Sequence, residues 1–154
     1  MIYVAYDHGG FDLAQKVKEH LSKIGEEFES VGSDFLQPKD DYTISAFTAN
    51  KKIMQSVKNR GIYICTTGVG SCIAANRENK IRAAICDNAR TATIARQKNN
   101  INVLVLGSEQ TNFRKAKKII DAFLSTPFEG GRHLKRVRDL TYGITVVKEK
   151  EFGE

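Results

Sequence analysis

Short apolar runs alternate with longer amphipathic stretches along the chain. Ile2 to Tyr6, Glu27 to Val31, Gly61 to Cys65, Arg82 to Cys86 and Asn102 to Leu106 each read as a strand. Between the first two, Phe11, Leu13, Ala14, Val17, Leu21 and Ile24 fall on one helical face, and Gly25 follows as a stop signal. The same periodicity runs through Ile44 to Val57, Ala89 to Ala95 and Ala116 to Phe123. Nearly continuous apolar strands separated by helices imply a parallel sheet covered on both faces, because right-handed crossovers place helices on either side. The expected fold class is therefore α/β, a Rossmann-like three-layer sandwich around a central five-stranded parallel sheet.

Composition narrows the setting. With 154 residues, 41% hydrophobic and 27% charged, the chain fits one globular domain. That domain is expected over residues 1–147, followed by a charged tail at 148–154. The first apolar run is too short for a signal peptide, and no stretch approaches the ~20 apolar residues that span a bilayer. A cytoplasmic protein with no membrane partner is expected. Cys65, Cys72 and Cys86 make no C-x-x-C pair, which predicts free thiols and no metal site. The net charge of +6 is scattered, and its densest cluster, Arg132 to Arg138, has no interleaved aromatics. A small anion accounts for it at least as well as nucleic acid, so no nucleic-acid partner is expected.

Ligands of open parallel sheets sit beyond the carboxyl ends of the strands. Those ends read Asp7-His8-Gly9-Gly10, Cys65-Thr66-Thr67-Gly68-Val69-Gly70-Ser71 and Gly107-Ser108-Glu109. The second is the most informative. Its glycines let backbone approach an anion, and amides opening a helix supply donors. It is neither a Walker A loop nor a full dinucleotide fingerprint. Cys65 heads the loop, where helix-opening amides favour a thiolate able to take a proton from carbon; an inert strand-end cysteine is the structural alternative. Cys72 and Cys86 read as core. His8 suits proton transfer near neutral pH, and Asp7 equally suits capping the next helix. Arg132 and Arg136 share a face if their segment is helical, a fork for a phosphate dianion or a solvated basic surface.

Together these residues resemble the family of ribose-5-phosphate isomerase B and the galactose-6-phosphate isomerase subunits. The likeness covers Ile2 to about Val137. It rests on Asp7-His8-Gly9-Gly10, Asp41-Tyr42, Cys65 with Thr67-Gly68-Val69-Gly70 and Ala74-Ala75-Asn76, Asn102-Val103-Leu104 with Leu106-Gly107, and Phe128-Glu129-Gly130-Gly131-Arg132-His133 with Arg136-Val137. The resemblance implies an aldose–ketose isomerase for a small phosphorylated sugar, ribose 5-phosphate and ribulose 5-phosphate first, with no cofactor. It implies a homodimer or homotetramer whose active sites are shared between chains. Residue by residue, it implies Cys65 as the base shuttling a proton between C1 and C2 through a cis-enediolate. Thr67 and the amides from Thr66 through Gly68 and Val69 to Gly70 would hold the oxyanion. Asp7, His8 and Tyr42 would contact the sugar, Asn99 a hydroxyl, and Arg132 and Arg136 of the second chain the phosphate.

Three positions depart from that pattern. Lys98 stands where ribose-type members place a histidine that helps open the furanose ring, which shifts more of that task to His8. Glu109 stands where many carry an arginine near the phosphate, and its charge repels a dianion unless it pairs with Arg132 or Arg136. Thr66 replaces a glycine and adds a β-branched side chain beside the reacting carbons. These departures keep galactose 6-phosphate, allose 6-phosphate or a tetrose phosphate as alternative substrates, and a non-catalytic sugar-phosphate-binding homologue as the alternative to an enzyme.

Overall fold

The structure, a computed structural model, describes residues 1–144. Five strands form one sheet: β1 (Ile2–Tyr6), β2 (Phe28–Val31), β3 (Arg60–Cys65), β4 (Ala83–Ile85) and β5 (Val103–Gly107). They are joined and followed by α1 (Phe11–Lys23), α2 (Tyr42–Ile53), α3 (Val69–Ala75), α4 (Ala89–Asn99), α5 (Phe113–Ser125) and α6 (His133–Tyr142). Every pairing is parallel, in the order β2-β1-β3-β5-β4. The expected three-layer α/β sandwich is the observed one. The expected boundary at residue 147 and the charged tail lie outside the described residues.

Alternation along the strands sorts the core into two layers. Val4, Ile62, Ile64, Leu104 and Leu106 pack with Val17 and Leu21 of α1, Ala92 of α4, and Ile119, Ile120 and Phe123 of α5. Tyr3, Ala5, Tyr63, Val103 and Val105 face the other way, against Ala46, Ala49 and Ile53 of α2 and Ala74 and Ala75 of α3. The central strands β1, β3 and β5 are buried along nearly their whole length, as a sheet covered on both sides requires.

Element boundaries moved where capping chemistry outweighed periodicity. The second helix starts at Tyr42 and stops at Ile53, short of Val57, where the Asn59 side chain donates to the Lys52 carbonyl at 3.0 Å. Helix α5 begins three residues before its first periodic alanine, because the Asn112 side-chain Oδ1 accepts the Lys115 backbone N–H at 2.9 Å. Helix α4 runs on past Ala95 to Asn99 and ends at Asn100 in a left-handed conformation.

The chain passes from β1 outward to β2, then crosses back to β3 on the other side of β1. The strand order thus reverses between β1 and β3, which opens a crevice beyond Tyr6 and Cys65. Helices α4 and α5 return antiparallel to the strands, so their carboxyl ends lie at the opposite edge of the sheet.

Candidate active site

Three loops meet at the carboxyl edge. Ser108 and Glu109 donate backbone N–H groups to the carbonyls of Cys65 and Thr66 at 2.9 and 3.0 Å, and Ser108 Oγ donates to the Gly9 carbonyl at 2.6 Å. The loops after β1, β3 and β5 therefore form one unit. The glycines are needed for the approach: a Cβ on Gly9 would collide with Thr66 Oγ1, and one on Gly10 with the Ile64 carbonyl. Asp7 is buried, and its Oδ1 accepts the Gly10 N–H at 3.1 Å, so its carboxylate caps the turn leading into α1.

Cys65 closes β3 and is 4% exposed, outside both apolar layers. The next residues turn sharply through Gly68, which adopts φ +82° and sends its N–H to Cys65 Sγ at 3.2 Å. An amide donor to sulfur is a bond that strengthens when the sulfur carries charge. Thr67 is exposed, with its hydroxyl accepting the Val69 N–H at 3.3 Å. The Tyr42 ring lies against Gly70, where a Cβ would come within 2.7 Å of it. The first residue of α2 is thus fixed to the first turn of α3.

His8 sits at the same edge. Its backbone N–H donates to Asp40 Oδ1 at 2.6 Å, and its ring Nδ1 lies 3.1 Å from that oxygen and 3.2 Å from the Asp40 carbonyl. These contacts raise the His8 pKa above its ordinary 6.5, the Asp40 side chain first and its carbonyl second. Sequence reading passed over Asp40, since a contact across 32 residues leaves no local pattern.

The other cysteines are not part of this cluster. Cys86 is core as expected, and burial pushes its thiol up to about 12. Cys72 is only half-buried on α3, and desolvation raises its thiol too. All three cysteines are free, and among the described residues no three His, Cys, Asp or Glu side chains converge.

The remaining candidates lie at the far edge. Lys98 and Asn99 end α4, Arg132 caps α6, and Arg136 follows one turn later, all four exposed. The segment between α5 and α6 is tied to α4 by the Glu129 N–H, which donates to the Gln97 carbonyl at 3.1 Å. Beneath it Arg96, 4% exposed, donates through Nε to the Thr126 carbonyl at 3.1 Å and through Nη1 to Asn100 and Ile101. Burial lowers the Arg96 pKa to about 10, which leaves it cationic at neutral pH. Its role escaped sequence reading because the periodic stretch ended one residue earlier.

Cys65 pairs with Gly107, the last residue of β5, whereas Asn99 precedes the first. Five strand residues advance roughly 15 Å. The candidate residues therefore fall into two groups in one chain, Asp7, His8, Tyr42 and Cys65 to Gly70 at one edge, and Lys98, Asn99, Arg132 and Arg136 at the other. Glu109 is exposed on the Cys65 side and is separated by the same span from Arg132 and Arg136.

Comparison with known proteins agrees with this architecture. The model of the ribose/galactose isomerase family matches residues 2–140. A probable ribose-5-phosphate isomerase B of Mycoplasma pneumoniae is 42% identical over 136 residues, 88% of this chain and 90% of that protein. The crystal structure of a ribose 5-phosphate isomerase from Thermotoga maritima superposes with a TM-score of 0.87 at 41% identity, covering 91% of this chain and 96% of the other. Ribose-5-phosphate isomerase B of Mycoplasma genitalium, solved with bound ribulose-5-phosphate, gives a TM-score of 0.88 at 38% identity, over 91% and 93% of the two chains. With the family model, the sequence identity and the fold in agreement over nearly the whole chain, the chain belongs to the ribose/galactose isomerase family of sugar-phosphate isomerases.

Proposed function

We propose that this enzyme interconverts ribose 5-phosphate and ribulose 5-phosphate through a cis-enediolate, with Cys65 as the base. The single observation that carries the reading is the Gly68 N–H aimed at Cys65 Sγ in the crevice between β1 and β3. In the open-chain aldose, Cys65 takes the proton from C2 and delivers it to C1, while the O2 hydroxyl proton passes to O1 as the carbonyl shifts from C1 to C2. The charge that develops on O1 is met by Thr67 and by the amides from Thr66 to Gly70. One such donor is worth about 3 kcal/mol in comparable sites. The chemistry needs only side chains and amides. Three free thiols fit a reducing cytoplasm.

The half-set at the other edge is supplied by a second copy. Arg132 and Arg136 clamp the phosphate, Asn99 binds a hydroxyl, and Lys98 lies near the ring. Asp7, His8 and Tyr42 contact the sugar from the Cys65 side, with His8 opening the furanose. Val69 and Ile73, one turn apart on α3, are 52% and 63% exposed, an apolar stripe beside the site that suits a homodimer face.

A second reading is favoured by Glu109, an exposed carboxylate at the Cys65 edge with no salt-bridge partner among the described residues. Together with Lys98 it supports a substrate such as galactose 6-phosphate, allose 6-phosphate or a tetrose phosphate. A coupled assay over a panel of aldose and ketose phosphates decides between them. We expect highest kcat/KM on the ribose pair and a loss of about 10²-fold or more in Cys65→Ala. Turnover that survives Cys65→Ala removes the assigned base, and binding without turnover of any sugar phosphate makes the chain a non-catalytic homologue.

A further inference from the structure

His8 carries a partner that neither the sequence motifs nor the family resemblance names. Asp40 is the penultimate residue of the irregular segment from Gly32 to Asp41, two positions before α2. Both Asp40 atoms that contact His8 Nδ1, the carboxylate Oδ1 and the backbone carbonyl, are acceptors. A nitrogen facing two acceptors must bear the proton, so Nδ1 is N–H whether the ring is neutral or charged. The same carboxylate oxygen accepts the His8 backbone N–H, which fixes the main chain under the ring as well as the ring itself. Nε2 is left without a partner among the described residues, on a side chain that is 43% exposed. The adjoining Gly9 abuts Thr66, so this nitrogen stands at the edge that holds Cys65.

We propose that Asp40 is a positioning residue for proton transfer by His8, holding the imidazole in one tautomer and orientation so that Nε2 exchanges the proton with a cyclic substrate. The proposal rests on the isomerase reading above. In ring opening, the Nε2–H of the imidazolium gives its proton to the furanose oxygen as the bond from that oxygen to C1 breaks. The C1 hydroxyl releases its proton to water as the C1 carbonyl forms, and His8 regains a proton from solvent. With lysine rather than histidine at position 98, more of the ring-opening task falls to His8 on the Cys65 side.

The raised His8 pKa agrees with the geometry, since it keeps more imidazolium near neutral pH. The charged groups on the His8 side are Asp40 and Asp7, which both raise it, with the carboxylates of Asp41 and Glu109 at the same edge and the Lys39 ammonium on the Asp40 loop. In an assembled site, Lys98 of a second copy acts in the opposite sense. The donor is present below the His8 pKa and is lost as pH rises through it.

The test uses Asp40→Asn, which keeps an oxygen acceptor for the His8 N–H and removes the charge. Three measurements are made on the intact protein. They are the NMR titration of His8, one of three histidines, the pH profile of furanose turnover, and the exchange of C1 hydrogen of ribulose 5-phosphate into deuterated water. A 2-ketose with its 5-hydroxyl phosphorylated forms no furanose, so exchange bypasses ring opening. We expect the His8 midpoint and the alkaline limb of furanose turnover to move together to lower pH. Furanose turnover at pH 8 should fall by about ten-fold more than exchange does. An unmoved His8 midpoint, or equal losses in turnover and exchange, overturns the role of Asp40. Absence of both exchange and formation of the aldose from ribulose 5-phosphate in the unaltered enzyme overturns the isomerase reading itself and the proposal with it.

Discussion

The helix that opens over Cys65 is held by two buried polar groups, and a double substitution measures how strongly. Asn50 of α2 is fully buried. Its Nδ2 donates to the carbonyls of Ala74 and Ala75, both at 3.3 Å, and its Oδ1 accepts the Tyr63 hydroxyl at 2.7 Å. Two carbonyls at the end of α3, which also accept the Arg77 and Glu78 N–H groups, are thereby tied to α2, with β3 as the third point of attachment. Tyr63→Phe leaves the Asn50 oxygen buried without a donor, a cost of about 2 kcal/mol. Asn50→Ala removes three bonds and opens a small void, costing about 4 kcal/mol. In the double variant the phenylalanine no longer strands an amide oxygen, so the combined loss should fall short of the sum by about 1 kcal/mol or more. Urea unfolding followed by circular dichroism gives all three values. Burial raises the Tyr63 hydroxyl above its usual pKa, so the coupling should persist at pH 10. Additivity within about 0.3 kcal/mol would refute the network as the link between α2, α3 and β3.

Three further outcomes follow from the same geometry. Gly70→Ala places a methyl against the Tyr42 ring and should lower kcat/KM by about ten-fold, with partial recovery when Tyr42→Leu is added; loss without recovery would place the damage elsewhere. Arg96→Ala strands the Thr126 and Ile101 carbonyls and should destabilise the chain by about 3 kcal/mol, read as a lowered urea midpoint; a midpoint within error of the parent contradicts that anchoring. Cys86, with its thiol at about 12, should resist iodoacetamide at pH 8 in the native state, and mass spectrometry finding it alkylated before unfolding would contradict its burial.

What was legible in the sequence was what repeats or what touches backbone locally. The five strands show in the apolar runs because β1, β3 and β5 are buried on both faces, and the shortest, β4, was read two residues too long for lying at an edge. The Cys65 loop was legible because its glycines answer steric demands set within a few residues. Asn50, Arg96 and Asp40 were not, since their partners lie 24, 30 and 32 positions away and nothing in a polar residue's own window names a distant carbonyl. The resemblance singled out Arg132 and Asn99 as candidates, whereas composition alone left the basic cluster between an anion site and a solvated surface.

The separation of the two half-sets gives the sharpest consequence of a shared site. In a two-fold homodimer each crevice joins the Cys65 edge of one copy to the Arg132 edge of the other. A chain carrying Cys65→Ala then spoils one site through its own edge, and a chain carrying Arg132→Ala spoils one through its clamp. In the hybrid of the two, both defects fall in the same site and the other site is built from unaltered halves. Random pairing makes half of the dimers hybrid, and each hybrid has one intact site of two, so an equimolar mixture unfolded and refolded together should recover about one quarter of the parent activity. Each variant refolded alone sets the baseline. Recovery no greater than the mean of those baselines would mean that each chain completes its own site, and the two edges, set apart by the roughly 15 Å length of β5, would have to meet by rearrangement within one copy.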